Sequence, residues 1–214
     1  GWPFPHVAAR KAAWRWPRAA AADPRLAGLA GGVCRRVAGD VVRAHAVADD
    51  RYTGDPAAGL ARIESISTGY DADGVQVIPT WELIATVAAG SPGNDGDYSN
   101  EMPLDLLSSW VDFAADNGMY VLLDLQPGRT TFLSQAVLYE ELLLQPHVGL
   151  ALDPEWRLLP DQVHLEQIGS VGADEVNEVV EWLAALTRDN ALPQKVLLLH
   201  QFAREMLPYR SRII

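Results

Sequence analysis

From Val75 onward the chain alternates short apolar runs with longer amphipathic stretches. The runs are Val75–Pro79, Tyr120–Leu125, Val148–Leu152 and Lys195–Leu199, with a weaker one at Gln162–Ile168. Val, Leu and Ile on consecutive positions are the signature of a strand buried on both faces. Helices are predicted between them. One starts at Pro103, where a first-turn proline is tolerated, and carries Leu104, Leu107, Trp110, Val111 and Ala114 to a stop at Asn117-Gly118. A second runs from Thr131 to Leu144, with Phe132, Val137, Leu138, Glu141 and Leu142 ahead of Pro146. A third spans Ala173 to Asp189, with Asp174 and Glu175 suited to the dipole of its first turn and Val176, Val179, Val180, Leu183 and Leu186 as its buried stripe.

Strand, helix, strand, helix in this order predicts right-handed βαβ units and a parallel sheet. An open doubly wound sheet would carry a Gly-rich turn after its first strand, and neither GxGxxG nor GxxxxGK[ST] is present. No nucleotide or other cofactor is therefore expected. The expectation is an α/β fold, a partial or complete (β/α)8 barrel of the TIM type over residues 58–214, truncated at the C-terminus.

Residues 1–57 lack strand or helix periods and scatter Trp2, Trp14 and Trp16 among Ala, Arg, Gly and Pro. That excess is what a shifted reading frame of a GC-rich gene would yield, and the segment is read as frame-shifted or disordered. Charge divides the chain in the same place. Residues 1–51 hold nine Lys/Arg against four Asp/Glu, and the rest hold eight against twenty-four. The acidic part should repel nucleic acid and anionic membrane, and the basic residues are too interleaved with Ala, Gly and Val to form an arm. Cys34 stands alone, so neither an intrachain disulfide nor a Cys-based zinc cluster is expected. No apolar run is long enough to span a membrane, and no signal peptide is visible.

The candidate chemistry lies where the apolar runs stop. Val77-Ile78-Pro79-Thr80-Trp81-Glu82 ends at a carboxylate. Val121-Leu122-Leu123-Asp124-Leu125-Gln126 puts Asp124 and Gln126 on one face by the period of two. Leu150-Ala151-Leu152-Asp153-Pro154-Glu155 does the same with Asp153 and Glu155, and Leu197-Leu198-Leu199 ends at His200. A single Asp after a strand is an ordinary cap or loop residue. Four coincident endings converge on one mouth in a barrel, where functional groups sit.

Two chemistries suit that set. Asp153, Glu155, Glu82 and Asp124 could supply the paired carboxylates of glycosidic-bond hydrolysis, with Trp156 and Trp81 stacking on sugar faces and Gln126, His200, Asp97 and Arg129 binding substrate. Alternatively Asp124, Asp153, Glu155 and His200 are oxygen and imidazole donors for a divalent metal that activates water. There is no HxH or HExxH pair, so no residue is assigned to metal. The loop Ser91–Asn100 fails as an EF-hand, because the sixth and twelfth positions from Asp95 are Asn100 and Leu106. No GxSxG is present. Trp110 and Trp182 fall on helical stripes and read as core.

The segments VIPTWELIATVA, GNDGDYS, YVLLDLQPGR, LALDPEWR, HLEQIGSVGADEVN and KVLLLHQF resemble an actinobacterial group of secreted or envelope-associated, lipoprotein-like proteins of unassigned activity. These six ordered motifs cover about Ile78 to Phe202. The resemblance implies a (β/α)8-like fold, an exported parent, and a mouth lined by Glu82, Asp124, Gln126, Asp153, Glu155 and His200. The function expected is a glycoside-hydrolase-like enzyme acting on an extracellular or cell-envelope polysaccharide. A non-catalytic envelope protein that binds glycan and a metal-dependent hydrolase are the alternatives. The partner in each case is carbohydrate or another small polar ligand.

Overall fold

The computed structural model describes residues 55–67 and 78–214. Cys34, nearly all of the poorly patterned N-terminal segment, and the part of the first apolar run from Val75 to Val77 lie outside the described residues. The elements are α1 (Pro56–Ser67), β1 (Thr80–Ala88), β2 (Ser99–Glu101), α2 (Leu104–Asp116), β3 (Tyr120–Leu125), α3 (Phe132–Leu138), α4 (Glu140–Leu143), β4 (Val148–Leu152), α5 (Ala173–Asp189) and β5 (Leu197–Leu199). Helix α1 escapes the sequence reading and begins inside the segment read as unpatterned. Its signals are Asp55, whose carboxylate accepts from Ala57 N at 2.9 Å, Pro56 in the first turn, and the buried pair Leu60 and Ile63.

The chain forms a mixed α/β structure around one five-stranded sheet in the order β2-β1-β3-β4-β5. Strands β1, β3, β4 and β5 are parallel neighbours, and β2 pairs antiparallel with β1 at the edge. The sheet is open, so the described residues close no barrel. Chain order equals spatial order along the four parallel strands, and right-handed crossovers then put every connecting helix on the same face.

Burial shows that asymmetry. Leu83 and Ala85 of β1, Val121, Leu123 and Leu125 of β3, and Leu150 and Leu152 of β4 pack with the stripes of α2, α3 and α5. The alternate residues Tyr120, Leu122 and Ala151 form a smaller cluster with Ile78, Val196 and Leu198, to which no helix contributes among the described residues. The helix-free face carries the polar residues discussed below.

Three boundaries differ from expectation. The first strand starts at Thr80, so Glu82 is its third residue rather than a group beyond its end. The pattern Trp81-buried, Glu82-opposite, Leu83-buried, Ile84-opposite, Ala85-buried is a period of two that the apolar run Val75–Pro79 concealed. The weak run Gln162–Ile168 forms turns rather than a strand, and its apolar residues Leu165 and Ile168 face outward. The helix expected over Thr131–Leu144 is broken at Tyr139. Its single hydroxyl proton is shared between Ala85 O at 2.6 Å and Met102 O at 3.1 Å, which anchors that position across the β1–β2 hairpin.

Candidate functional site

The register levels three residues. Leu125 pairs with Leu152 and Leu152 with Leu199, so the residues that follow, Gln126, Asp153 and His200, stand in one row. Each is tied to its neighbour by one more ladder bond. Gln126 N donates to Thr86 O at 3.2 Å, Asp153 N to Leu125 O at 3.1 Å, and His200 N to Leu152 O at 3.0 Å. The three leucines point to the helices, so by alternation the three polar residues turn to the helix-free face. Asp124 sits one row below on that face, beside Ala151, whose small side chain leaves room for a carboxyl.

Glu82 reaches this group from the far side of the sheet. His200 Nε2 meets Glu82 Oε1 at 2.6 Å and Asp153 Oδ1 at 3.5 Å. One donor atom each from Glu82, Asp124 and His200 lie within 4.8 Å of one another. Strands β1 and β5 are three spacings apart, roughly 14 Å in a flat sheet. Side-chain contact between them requires the sheet to curl, with the helix-free face on the concave side.

Burial sets the electrostatics. Asp124 is 5% exposed, and its carboxyl is held well above the usual carboxylate range, first by burial and then by the charges of Asp153 and Glu82. Asp153 is raised by burial too, but less freely. The charge of His200 and hydrogen bonds from Asp124 and Gln126 all favour its ionised form. Glu155, in the short 3-10 turn Pro154–Trp156, is raised by burial and by Asp153. Oδ1 of Asp124 and Oε2 of Glu155 are buried without a hydrogen-bond partner.

A polar circuit unforeseen in the sequence fixes Gln126. Its Oε1 accepts from Ala88 N at 2.9 Å, so its amide nitrogen must face Asp153 Oδ2, 3.4 Å away. Its backbone N donates to Thr86 Oγ1 at 2.8 Å, and its carbonyl accepts from Ser99 Oγ at 2.8 Å. Gln135 closes the ring by accepting from Thr86 Oγ1 at 2.6 Å and donating to Ser99 Oγ at 2.9 Å. A signal was available: Gln135 occupies a buried helical position between Phe132 and Ala136, where an apolar residue is expected.

The other expected residues fall elsewhere. Trp81 lies on the helix side, stacked on Phe113 at 5.6 Å and edge-on to Trp110 at 4.9 Å, so its ring is core and does not flank the carboxylates. Trp156 is half-buried and packs edge-on to His164 at 5.2 Å. Asp97 holds the hairpin loop, its carboxylate accepting from Ser99 N at 2.8 Å and its carbonyl from Arg129 N at 2.6 Å. Arg129 lies over the Tyr98 ring at 4.3 Å and donates to Gln162 O at 2.7 Å. Arg157 pairs with Glu175 at 2.9 Å. Neither arginine neutralises the carboxylates. Glu175, foreseen only as a dipole partner, also accepts from Phe132 N at 3.2 Å, which satisfies a donor at the start of α3.

A surface depression of about 350 Å³, lined by Gln201, Arg204 and Leu207–Ser211, contains none of the clustered groups. Convergent chemistry, not concavity, locates the site. Among the described residues no helix is long and apolar enough to cross a membrane. Comparison with protein-family models, with curated proteins and with solved structures finds no match to this chain.

Proposed function

We propose that the chain is a hydrolase acting on carbohydrate or another small polar ligand at the concave face of the sheet, and that its parallel strands are an arc of a (β/α)8-type barrel. The unswitched strand order, the one-sided helices and the curl that lets Glu82 touch His200 support the barrel arc. A barrel mouth in an exported parent, the setting the motif resemblance implies, would present the site to extracellular polysaccharide.

One observation carries the hydrolase reading: Glu82, Asp124, Asp153 and His200 are in contact on the sheet, and Gln126 is held in place to face Asp153. Burying several ionisable groups together destabilises a fold, so packing alone gives no reason for the cluster. Stability is commonly given up at working sites.

Donor atoms of Glu82 and Asp124 within 4.8 Å of each other leave no room for a sugar ring between them. The carboxyls of a glycosidase pair stand about 5 Å apart or more. The roles are assigned to Asp153 and Glu155, which stand together just after β4. Asp153, oriented by Gln126 and His200, takes the proton of the attacking water. Glu155, in the adjoining turn with one oxygen unengaged, gives a proton to the leaving oxygen. Placing water next to Asp153 and the scissile bond next to Glu155 makes the step one of general acid–base hydrolysis.

The test is turnover of a panel of nitrophenyl glycosides, esters and phosphates by the full chain, with Glu155→Gln and Asp153→Asn as controls. Turnover of at least one class, lost by about 100-fold or more in each variant at unchanged circular dichroism, is the expected result. Saturable sugar binding without turnover would replace the enzyme by a glycan-binding protein. Neither binding nor turnover would remove the proposal.

A further inference from the structure

We propose that Glu82, Asp124 and His200 form a binding site for a divalent transition-metal ion. This rests on the hydrolase reading for its use but not for its existence, and it names the group that would polarise the water next to Asp153.

The geometry supplies three donors from three strands of one sheet. Two are carboxylate oxygens and one is an imidazole nitrogen, all within 4.8 Å of one another. Tetrahedral metal–ligand bonds of 2.0–2.2 Å set adjacent donors about 3.3–3.6 Å apart. The His200 Nε2–Glu82 Oε1 pair at 2.6 Å would open by roughly 0.7–1.0 Å to admit an ion, within reach of a side-chain rotation.

An independent observation points inward as well. Oδ1 of Asp124, a residue only 5% exposed, has no hydrogen-bond partner. A buried carboxylate oxygen is normally satisfied; the Asp124 carboxyl also bonds Asp153, yet Oδ1 has no partner within a cluster that offers two further ligand-bearing side chains. Arg129 and Arg157 do not supply it, because the first is spent on Gln162 O and the Tyr98 ring and the second on Glu175.

The donor set selects the ion. Imidazole beside two carboxylates suits Zn²⁺ or Mn²⁺ and argues against Ca²⁺, which takes six to eight oxygens. Three protein ligands leave a position open for water, as catalytic zinc sites do. Asp153 Oδ1, 3.5 Å from His200 Nε2, stands where it would accept a proton from that water.

The contrasting cluster is Asp95, Asp97 and Glu101 in the β1–β2 hairpin, which has three carboxylates and no imidazole. It serves as the internal control, since any acidic loop attracts divalent ions weakly.

The full chain, stripped with EDTA, is titrated calorimetrically with Zn²⁺ and with Mn²⁺, and Co²⁺ is followed by its visible absorption. One ion per chain is expected. His200→Gln should weaken binding by about 10–100-fold and alter the Co²⁺ spectrum, while the Asp95→Asn/Asp97→Asn double variant binds as the parent does. Asp124→Asn should abolish binding, and if that variant does not fold, His200→Gln, altered at the most exposed ligand, decides. No saturable binding at millimolar ion, or binding lost in the hairpin variant and kept in His200→Gln, overturns the site. Ion binding without turnover would leave the site standing and remove the hydrolase reading. EDTA-resistant turnover without ion binding would do the reverse.

Discussion

Lys195 offers a test of the fold that is independent of catalysis. It is fully buried at the end of the sheet away from His200, and its Nζ donates to Gln145 O at 2.8 Å and Val148 O at 2.9 Å. Burial lowers its pKa from 10.5 to about 7. Between those values the unfolded chain binds a proton that the folded chain does not, so unfolding free energy rises with pH across that window. Below about pH 7 both states carry the proton and the full cost of the buried charge is felt; above pH 10.5 neither does. At about 1.4 kcal/mol per pH unit the rise totals at most roughly 5 kcal/mol. The two carbonyl bonds favour the charged form and make this an upper bound. His147, lowered by burial and further by Lys195, titrates below the window; Tyr139, raised by burial, ionises from pH 10.0 only in the unfolded chain and so opposes the rise only at the top of the window. Urea unfolding followed by tryptophan fluorescence at pH 7, 8, 9 and 10 should show the parent gaining stability, by several kcal/mol in all, while Lys195→Met stays nearly flat. Parallel curves for the two proteins would mean that the ammonium is not desolvated as described.

Gly149→Ala should destabilise the chain by about 1–3 kcal/mol, because the new methyl would collide with Val196 O and stand 2.8 Å from Tyr120 Oη, prying β4 from β5; urea midpoints report it. Tyr139→Phe loses hydrogen bonds to Ala85 O and Met102 O and should cost about 1–3 kcal/mol, seen as a lower melting temperature. Arg157→Ala breaks a half-buried pair with Glu175 and should cost about 1–2 kcal/mol, with Glu175→Gln recovering part of it in the double variant; additive losses would mean the pair is not coupled. Gln126→Ala frees Asp153 and should lower kcat more than it raises KM on whichever substrate the nitrophenyl panel identifies, with a melting temperature lowered by the lost bond to Ala88 N.

Much of the frame was legible because burial leaves a period in the chain. Helices α2 and α5 match their expected spans, since Leu107, Trp110, Val111 and Ala114, and Val176, Val179, Val180 and Leu183, repeat at helical spacing toward one core. The cores of β3 and β4 were readable as continuous apolar runs because both faces are covered. The candidate polar groups followed from those runs, as Asp124, Asp153 and His200 interrupt or terminate them.

Contacts between distant segments were not legible. Nothing local distinguishes Trp81 as core from Trp81 as a sugar platform; the face of β1 it occupies decides, and that depends on a strand starting at Thr80. The run Gln162–Ile168 forms turns instead, with Leu165 and Ile168 facing outward, because no sheet neighbour pairs with it. Gln126 owes its orientation to Ala88 and its place in a polar ring to Gln135, residues 38 and 9 positions away in the chain. The sequence alone determined an α/β chain with polar groups at its strand ends, because local periodicity encodes which side of an element is dry. Which of those groups touch was left to the tertiary structure, because register and sheet curvature are sums over the whole sheet, and only they bring Glu82 of β1 against His200 after β5.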